Sequence, residues 1–317
     1  MPSPQITILQ SIVLGLIQGL TEFLPVSSTG HMRIIPAELH WPDPGAGMSA
    51  ILQLGPIVAI IWFFRHDLRK YLIGMRRSFT KGVMFPKGDI DARLGWYTVI
   101  GTVPMIIFGL LLEKKVDHEF RTLNVIGYSL IVLAIVLLIA DFTSKRSRDL
   151  DQLTLQDTLI IGFAQVLALI PGASRSGCTI TAALFRGLDR ESAARFSFLL
   201  SIPAITLAGL YKLLKAIKAH EVHDIVIPSV IGAVVAGIVA YVVIKWFLKF
   251  LGEENHTTLP FILWRIAVGI LILWQLHTGY LKPDTGLPPK DAEQSASLPL
   301  RAAPMGTPLA ALSSLAR

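Results

Sequence analysis

Charge is scarce in this chain. Asp, Glu, Lys and Arg make up 16% of its 317 residues, while 52% are hydrophobic. A soluble domain is about 25% charged, so the deficit excludes a disordered chain, a nucleic-acid arm and most soluble enzymes. Cysteine is nearly absent. With Cys178 alone, no disulfide can form within the chain, and a cysteine-based metal cluster is excluded. Acidic residues are the rarer sign, 22 against 29 basic, which leaves a formal charge of +7. In so apolar a chain (mean hydropathy +0.58) a basic excess points to loops facing anionic lipid, not to DNA.

Long uncharged runs are what the sequence does have. Pro44–Phe64, Leu94–Leu112, Thr122–Ala140, Phe196–Tyr211, Ile225–Ile244 and Ile266–Leu281 contain no Asp, Glu, Lys or Arg. A spanning helix needs about 20 mostly apolar residues. Flanking Arg195, Lys212 and Lys245 can extend the shorter runs by snorkelling. Six spanning helices are expected.

Two further apolar stretches are interrupted. Ile6–Leu24 breaks at Pro25-Val-Ser-Ser-Thr-Gly-His31, and Thr158–Ile170 breaks at Pro171-Gly-Ala-Ser-Arg-Ser-Gly177. Backbone bared at membrane depth is tolerated only where protein or a wet cavity covers it. Both stretches therefore read as re-entrant hairpins. Residues 1–24 lack the charged start and the Ala-x-Ala site of a signal peptide.

The two breaks repeat at an offset of 147: Gly15 with Gly162, Gln18 with Gln165, Ser27 with Ser174, Thr29 with Ser176, Gly30 with Gly177, and farther on Pro56 with Pro203. Loop charge orients the halves. Arg65–Arg93 holds eight basic residues; with that loop in the cytoplasm, alternation puts both termini outside and turns the second half over. The expected fold is an all-α polytopic membrane protein, six transmembrane helices plus two re-entrant helical hairpins in an inverted-topology repeat. One membrane domain would cover 1–281, with repeats over about 5–141 and 155–281. A disordered tail, rich in Pro, Ala and Ser, would cover 282–317. Arg265 and Lys245 read as snorkelling or bundle-stabilising, the tryptophans as an interfacial belt, and Arg65–Lys81 as a solvated basic face.

Ionisable groups inside the membrane are expensive and by default functional. Glu22 and His31 lie in the first break; their bland reading is a polar pair that shapes the hairpin. Gln18 shares a helical face with Glu22. The second break reads as an oxyanion cradle: Gly172 opens the backbone, Ser174 and Ser176 offer hydroxyls, a helix start near Thr179 offers free N–H groups, and Arg175 offers a planar fork. The bland reading of Arg175 is a structural pair with Glu22. Ser27, Ser28 and Thr29 supply hydroxyls at the first break. Together these groups suit phosphoryl transfer on a lipid phosphate or diphosphate.

Gln18-Gly-Leu-Thr-Glu22, continuing as Phe-Leu-Pro-Val-Ser-Ser-Thr-Gly-His31, and Pro171-Gly-Ala-Ser-Arg-Ser-Gly-Cys-Thr179 resemble the two motifs of the undecaprenyl-diphosphatase, or bacitracin-resistance, family. The resemblance runs from about residue 8 to 277. It implies hydrolysis of undecaprenyl diphosphate to the monophosphate and inorganic phosphate. Such an enzyme recycles the carrier lipid for peptidoglycan synthesis and confers bacitracin resistance. It would lie in the bacterial inner membrane, with its active site facing the periplasm. By motif match Glu22, Ser28, His31 and Arg175 would be catalytic. Ser174, Ser176 and Thr179 would bind phosphate, and Gln18, Ser27, Thr29 and Gly172 complete the expected substrate-binding set. Ser28 is the expected nucleophile with His31 as its base; His31 itself or an activated water are the alternatives. The resemblance also implies a divalent cation, Mg or Ca, with Glu22 as ligand. Here the first motif position is Gln18, and Met48 and Ser49 stand where many relatives have an acidic residue, so substrate oxygens would supply most of the coordination. The expected partners are a polyprenyl diphosphate lipid and the bilayer, with no nucleic acid and a homodimer left open. The competing reading is a polyprenyl-phosphate flippase or transporter, which would need the same cradle but no nucleophile.

Overall fold

The computed structural model describes residues 6–86, 88–118, 120–218, 226–253, 255–285 and 287, without the side chains of 46, 113–115, 117 and 118. Among them are eleven α-helices and no named strand. In chain order they are α1 Ile8–Thr21, α2 Ser28–Glu38, α3 Gly45–Phe63, α4 Arg65–Thr80, α5 Ile90–His118, α6 Leu123–Thr143, α7 Leu155–Val166, α8 Arg175–Phe185, α9 Arg190–Lys218, α10 Val226–Gly252 and α11 Leu259–His277. Five helices are long and apolar enough to cross a membrane, or six if the bent pair α3–α4 counts as one span. The chain is an all-α, multi-pass membrane protein. Apolar side chains such as Leu110, Leu111, Val132, Val234 and Ile238 point outward, as they do where the solvent is lipid.

The two broken stretches are helical hairpins, α1–α2 and α7–α8, and the chain starts both the same way. Thr7 accepts a hydrogen bond from the Gln10 amide, and the Gln10 side chain accepts one from the Thr7 amide. Thr154 and Asp157, 147 positions later, form the same reciprocal cap. Packing repeats too. α1 lies on α10 as α7 lies on α5, while α3 pairs with α9 and α6 with α11. Both hairpin crossings are close because glycine allows it. A side chain at Gly15 would collide with the Gly232 carbonyl, and one at Gly162 with the Gly101 carbonyl. These paired contacts are the pattern of two halves related by an approximate twofold.

The segment after α3 differs from the expected solvated basic loop. Arg65–Thr80 is a helix, bent 72° from α3, that folds back on the start of α5. Its Ser78 hydroxyl accepts from the Trp96 indole at 3.1 Å, and Arg77 pairs with Asp89. Its basic side chains are interleaved with outward-facing Leu72, Ile73 and Phe79, a mixture that suits a headgroup layer better than open water. At this same end, Asp157 holds Arg148 and Arg186 at 2.6 Å each, and Asp141 holds Arg190 at 2.5 Å.

Of the tail expected to be disordered, residues 282–285 form a turn, and the Pro283 carbonyl accepts from the amide of Leu123 at the start of α6. The rest, apart from 287, lies outside the described residues. Gly162→Val is expected to cost about 1–3 kcal/mol by forcing α7 off α5. Thermal unfolding in detergent reads this as a lowered midpoint; an unchanged midpoint would refute the tight crossing.

Candidate active site

Each hairpin breaks at a serine held in an unusual backbone conformation. Ser27 has φ 76° and Ser174 φ 68°, the left-handed region that residues with a Cβ rarely enter. Each caps the helix that follows: Ser27 Oγ accepts from the Gly30 amide at 3.2 Å, and Ser174 Oγ from the Gly177 amide at 3.1 Å. Each also lies 3.2 Å from the hydroxyl two residues on, Thr29 or Ser176. Two strained caps of one design, 147 residues apart, turn two helix N-termini toward a common point.

The tips meet there. Arg175 Nη2 donates to Glu22 Oε1 at 2.8 Å, joining residues 153 apart in sequence. The other Glu22 oxygen, Oε2, accepts from Ser28 Oγ at 2.6 Å and from Gln18 Nε2 at 2.8 Å. Arg175 Nε and Nη1 are buried and have no hydrogen-bond partner. Glu22, Ser28 and Arg175 line one cavity of about 510 Å³ with Gln18, Ser27, Thr29 and Ser174. Apolar groups of α5 and α9, among them Met105, Ile106, Ile205 and Leu207, line the remainder. The arrangement is a polar tip with unspent donors at the head of an apolar channel.

Four expectations need correction. His31 makes no hydrogen bond to Ser28. Its Nδ1 faces the Ser27 carbonyl at 2.8 Å, and its Nε2 accepts from the Trp264 indole at 2.8 Å. A carbonyl only accepts and an indole N–H only donates, so the proton sits on Nδ1 and Nε2 is already taken. The Ser28 hydroxyl bonds Glu22 instead. Ser176 and Thr179 turn away from the cavity: Ser176 Oγ donates to the Leu24 carbonyl at 2.9 Å, sewing one tip to the other, and Thr179 Oγ1 lies 2.6 Å from Ser197 Oγ. Gly172, at φ 91°, packs against α6, where a side chain would strike Ser129 and Ile126. It allows a close helix approach and does not line the cavity.

Three neighbours of the site are not among the expected site residues. Trp264 was expected only in an interfacial belt. Arg33 lies two residues past the first motif and belongs to neither. Arg265 is fully buried, so of its two expected roles it takes the bundle-stabilising one and does not snorkel. Its Nη2 reaches the carbonyls of Ala173 at 2.9 Å, Gly172 at 3.2 Å and Ser129 at 3.4 Å, and its Nη1 reaches that of Pro25 at 3.4 Å. A cation inside an otherwise uncharged helix was the available signal.

The protein's own donors do not form a metal cage. Among the described residues no three His, Cys, Asp or Glu side chains are grouped for one. Glu22 is the only carboxylate at the tips, and serine, glutamine and arginine already occupy both its oxygens. A hard cation takes six or more oxygens, so beyond Glu22 the substrate and water would have to supply them.

The family model for bacitracin resistance protein BacA matches residues 11–271. The chain belongs to this family. It is 46% identical over 281 residues to the undecaprenyl-diphosphatase of Myxococcus xanthus (strain DK1622), covering 89% of this chain and 93% of that one. It is 44% identical over 280 residues to the undecaprenyl-diphosphatase of Thermobifida fusca (strain YX), 88% and 94% covered. For the undecaprenyl-diphosphatase of Chloroherpeton thalassium (strain ATCC 35110 / GB-78) the identity is 43% over 285 residues, 87% and 99% covered. In this family member, Trp264→Phe leaves the His31 Nε2 without its donor, and the protein should lose about 1–3 kcal/mol of stability. Chemical unfolding monitored on the remaining tryptophans would show it; wild-type stability would mean that the indole contact does not hold the ring.

Proposed function

We propose that this chain is an undecaprenyl-diphosphate phosphatase, releasing undecaprenyl phosphate and inorganic phosphate and so recycling the carrier lipid for peptidoglycan synthesis. The observation that carries the reading is the Arg175–Glu22–Ser28 chain of hydrogen bonds at the head of a cavity with apolar walls. A polyprenyl tail fits the α5–α9 walls, and a diphosphate fits the tip.

The steps follow from the donors. The terminal phosphoryl group takes the two unspent Arg175 nitrogens and the free N–H groups at the start of α2, where the helix dipole is positive. As phosphate draws the guanidinium, Glu22 is left to receive the Ser28 proton. Ser28 Oγ attacks the terminal phosphorus. The bond to the bridging oxygen breaks, and the lipid leaves as its monophosphate, taking the proton from Glu22. Water then attacks the phosphoserine, giving one proton to Glu22, which returns it to Ser28 Oγ as inorganic phosphate departs. His31 acts as a positioning residue: it ties the strained Ser27 carbonyl and thereby aims the neighbouring Ser28. No step uses a metal ion.

The expected site is the bacterial inner membrane with the cavity open to the periplasm. The charge count supports this, since Arg121 and Lys212, which line the cavity, belong to the loops with the fewer basic residues. A pure lipid transporter requires donors for a headgroup but no hydroxyl held on a carboxylate.

Purified protein in detergent should release phosphate from a polyprenyl diphosphate, and Ser28→Ala and Glu22→Gln should each lower the rate by about 100-fold or more. Single turnover in ¹⁸O-water, with acid trapping, should reveal a phosphoserine. Near-normal turnover in both variants would defeat the assignment. Lipid movement between leaflets without hydrolysis would favour the transporter.

A further inference from the structure

A diphosphate carries at least two negative charges, and Arg175, already paired with Glu22, brings one positive charge to meet them. The remaining charge needs its own counter-charge, and the tips hold no metal cage. We propose that Arg33 supplies it, gripping the lipid-proximal phosphoryl group that becomes the leaving monophosphate. This inference rests on the phosphatase reading above.

Arg33 is only 3% exposed, and it lines the same cavity as Glu22, Ser28 and Arg175. It stands on α2 four residues past Thr29. That is about one helical turn, so the two side chains lie on the same face of the helix. Ser28, Thr29, Met32 and Arg33 thus present one face of α2 to the cavity.

None of its three side-chain nitrogens makes a hydrogen bond. The nearest carboxylate oxygen, on Asp43, lies 3.6 Å away. Asp43 is already committed: Arg121 Nη2 reaches both its oxygens at 2.9 Å, and the Gly45 amide donates to Oδ1 at 2.8 Å. Asp284 is the other anion whose field reaches Arg33. These carboxylates offset its charge from a distance without using its donors. A guanidinium withdrawn from water with every N–H unspent is costly. The diphosphate oxygens are the acceptors that would complete it, in the bidentate geometry to which a guanidinium is suited. By this arrangement Arg175 faces the reacting phosphorus and Arg33 faces the oxygen charge that builds on the departing lipid phosphate. A ligand with one phosphoryl group, seated at Arg175, would not need Arg33.

The test compares methylenediphosphonate with orthophosphate, both as inhibitors of the intact protein in detergent and as ligands in thermal-shift titrations. In the wild type the diphosphonate should bind at least about tenfold more tightly; equal affinities would overturn the proposal. Arg33→Gln should weaken the diphosphonate by about tenfold, the scale of a lost charge-assisted hydrogen bond, and leave orthophosphate within about twofold. Arg33→Lys, which keeps the buried charge but not the fork, should show a smaller loss confined to the diphosphonate. If Arg33→Gln does not fold, the lysine variant decides. Parallel weakening of both ligands, or of neither, would reduce Arg33 to a brace. A wild type that binds diphosphonate but hydrolyses no polyprenyl diphosphate would sink the phosphatase reading and leave the binding result standing.

Discussion

A helix that stops inside a bilayer strands its carbonyls where water cannot reach them. This protein stops two helices there, and a single side chain answers for both. Arg265, from α11, holds carbonyls of Gly172 and Ala173 in one break and of Pro25 in the other. Ser176 adds a second stitch by donating to the Leu24 carbonyl. With those oxygens satisfied, the amide ends of α2 and α8 are left to face the cavity. The proposed anion site is therefore a consequence of how the breaks are tolerated.

Chemistry is divided between the halves. In the proposed mechanism the first hairpin contributes the acid–base and hydroxyl groups, Glu22 and Ser28; the second contributes the fork, Arg175. Neither half alone holds a complete set, which is the logic of binding at the axis of a repeat. The symmetry is structural, with matched caps, matched glycine crossings and matched left-handed serines, while the side chains between them have diverged. Gln165, the counterpart of Gln18, is fully buried, and neither of its polar side-chain atoms makes a hydrogen bond. The imprint of the repeat thus persists where the chemistry does not.

Both hairpins, the apolar spans and the meeting of Glu22 with Arg175 were legible in the residues. They rest on short-range signals: Pro and Gly in an apolar run, hydroxyls at helix starts, lone charges at membrane depth. Functional roles were less legible. Serine and threonine look alike in a motif whether they face a ligand or a neighbouring helix, and Ser176 and Thr179 do the latter. Histidine beside serine suggests a base, but Trp264, more than 200 residues away, occupies the nitrogen that would be needed. The bent helix α4 was hidden because its basic residues read as a loop when counted by charge.

The amino-acid sequence by itself determined that the chain enters membranes, where its helices break and which ionisable groups lie inside, because each of these is a local balance of burial against backbone exposure. The tertiary structure alone decided who pairs with whom: Glu22 with Ser28 rather than His31 with Ser28, Arg265 with four carbonyls, Arg33 with Asp43 at ion-pair distance but with no hydrogen bond. Those pairings depend on how helices far apart in the chain cross. A crossing is set by packing over many residues, and no spacing within a motif encodes it.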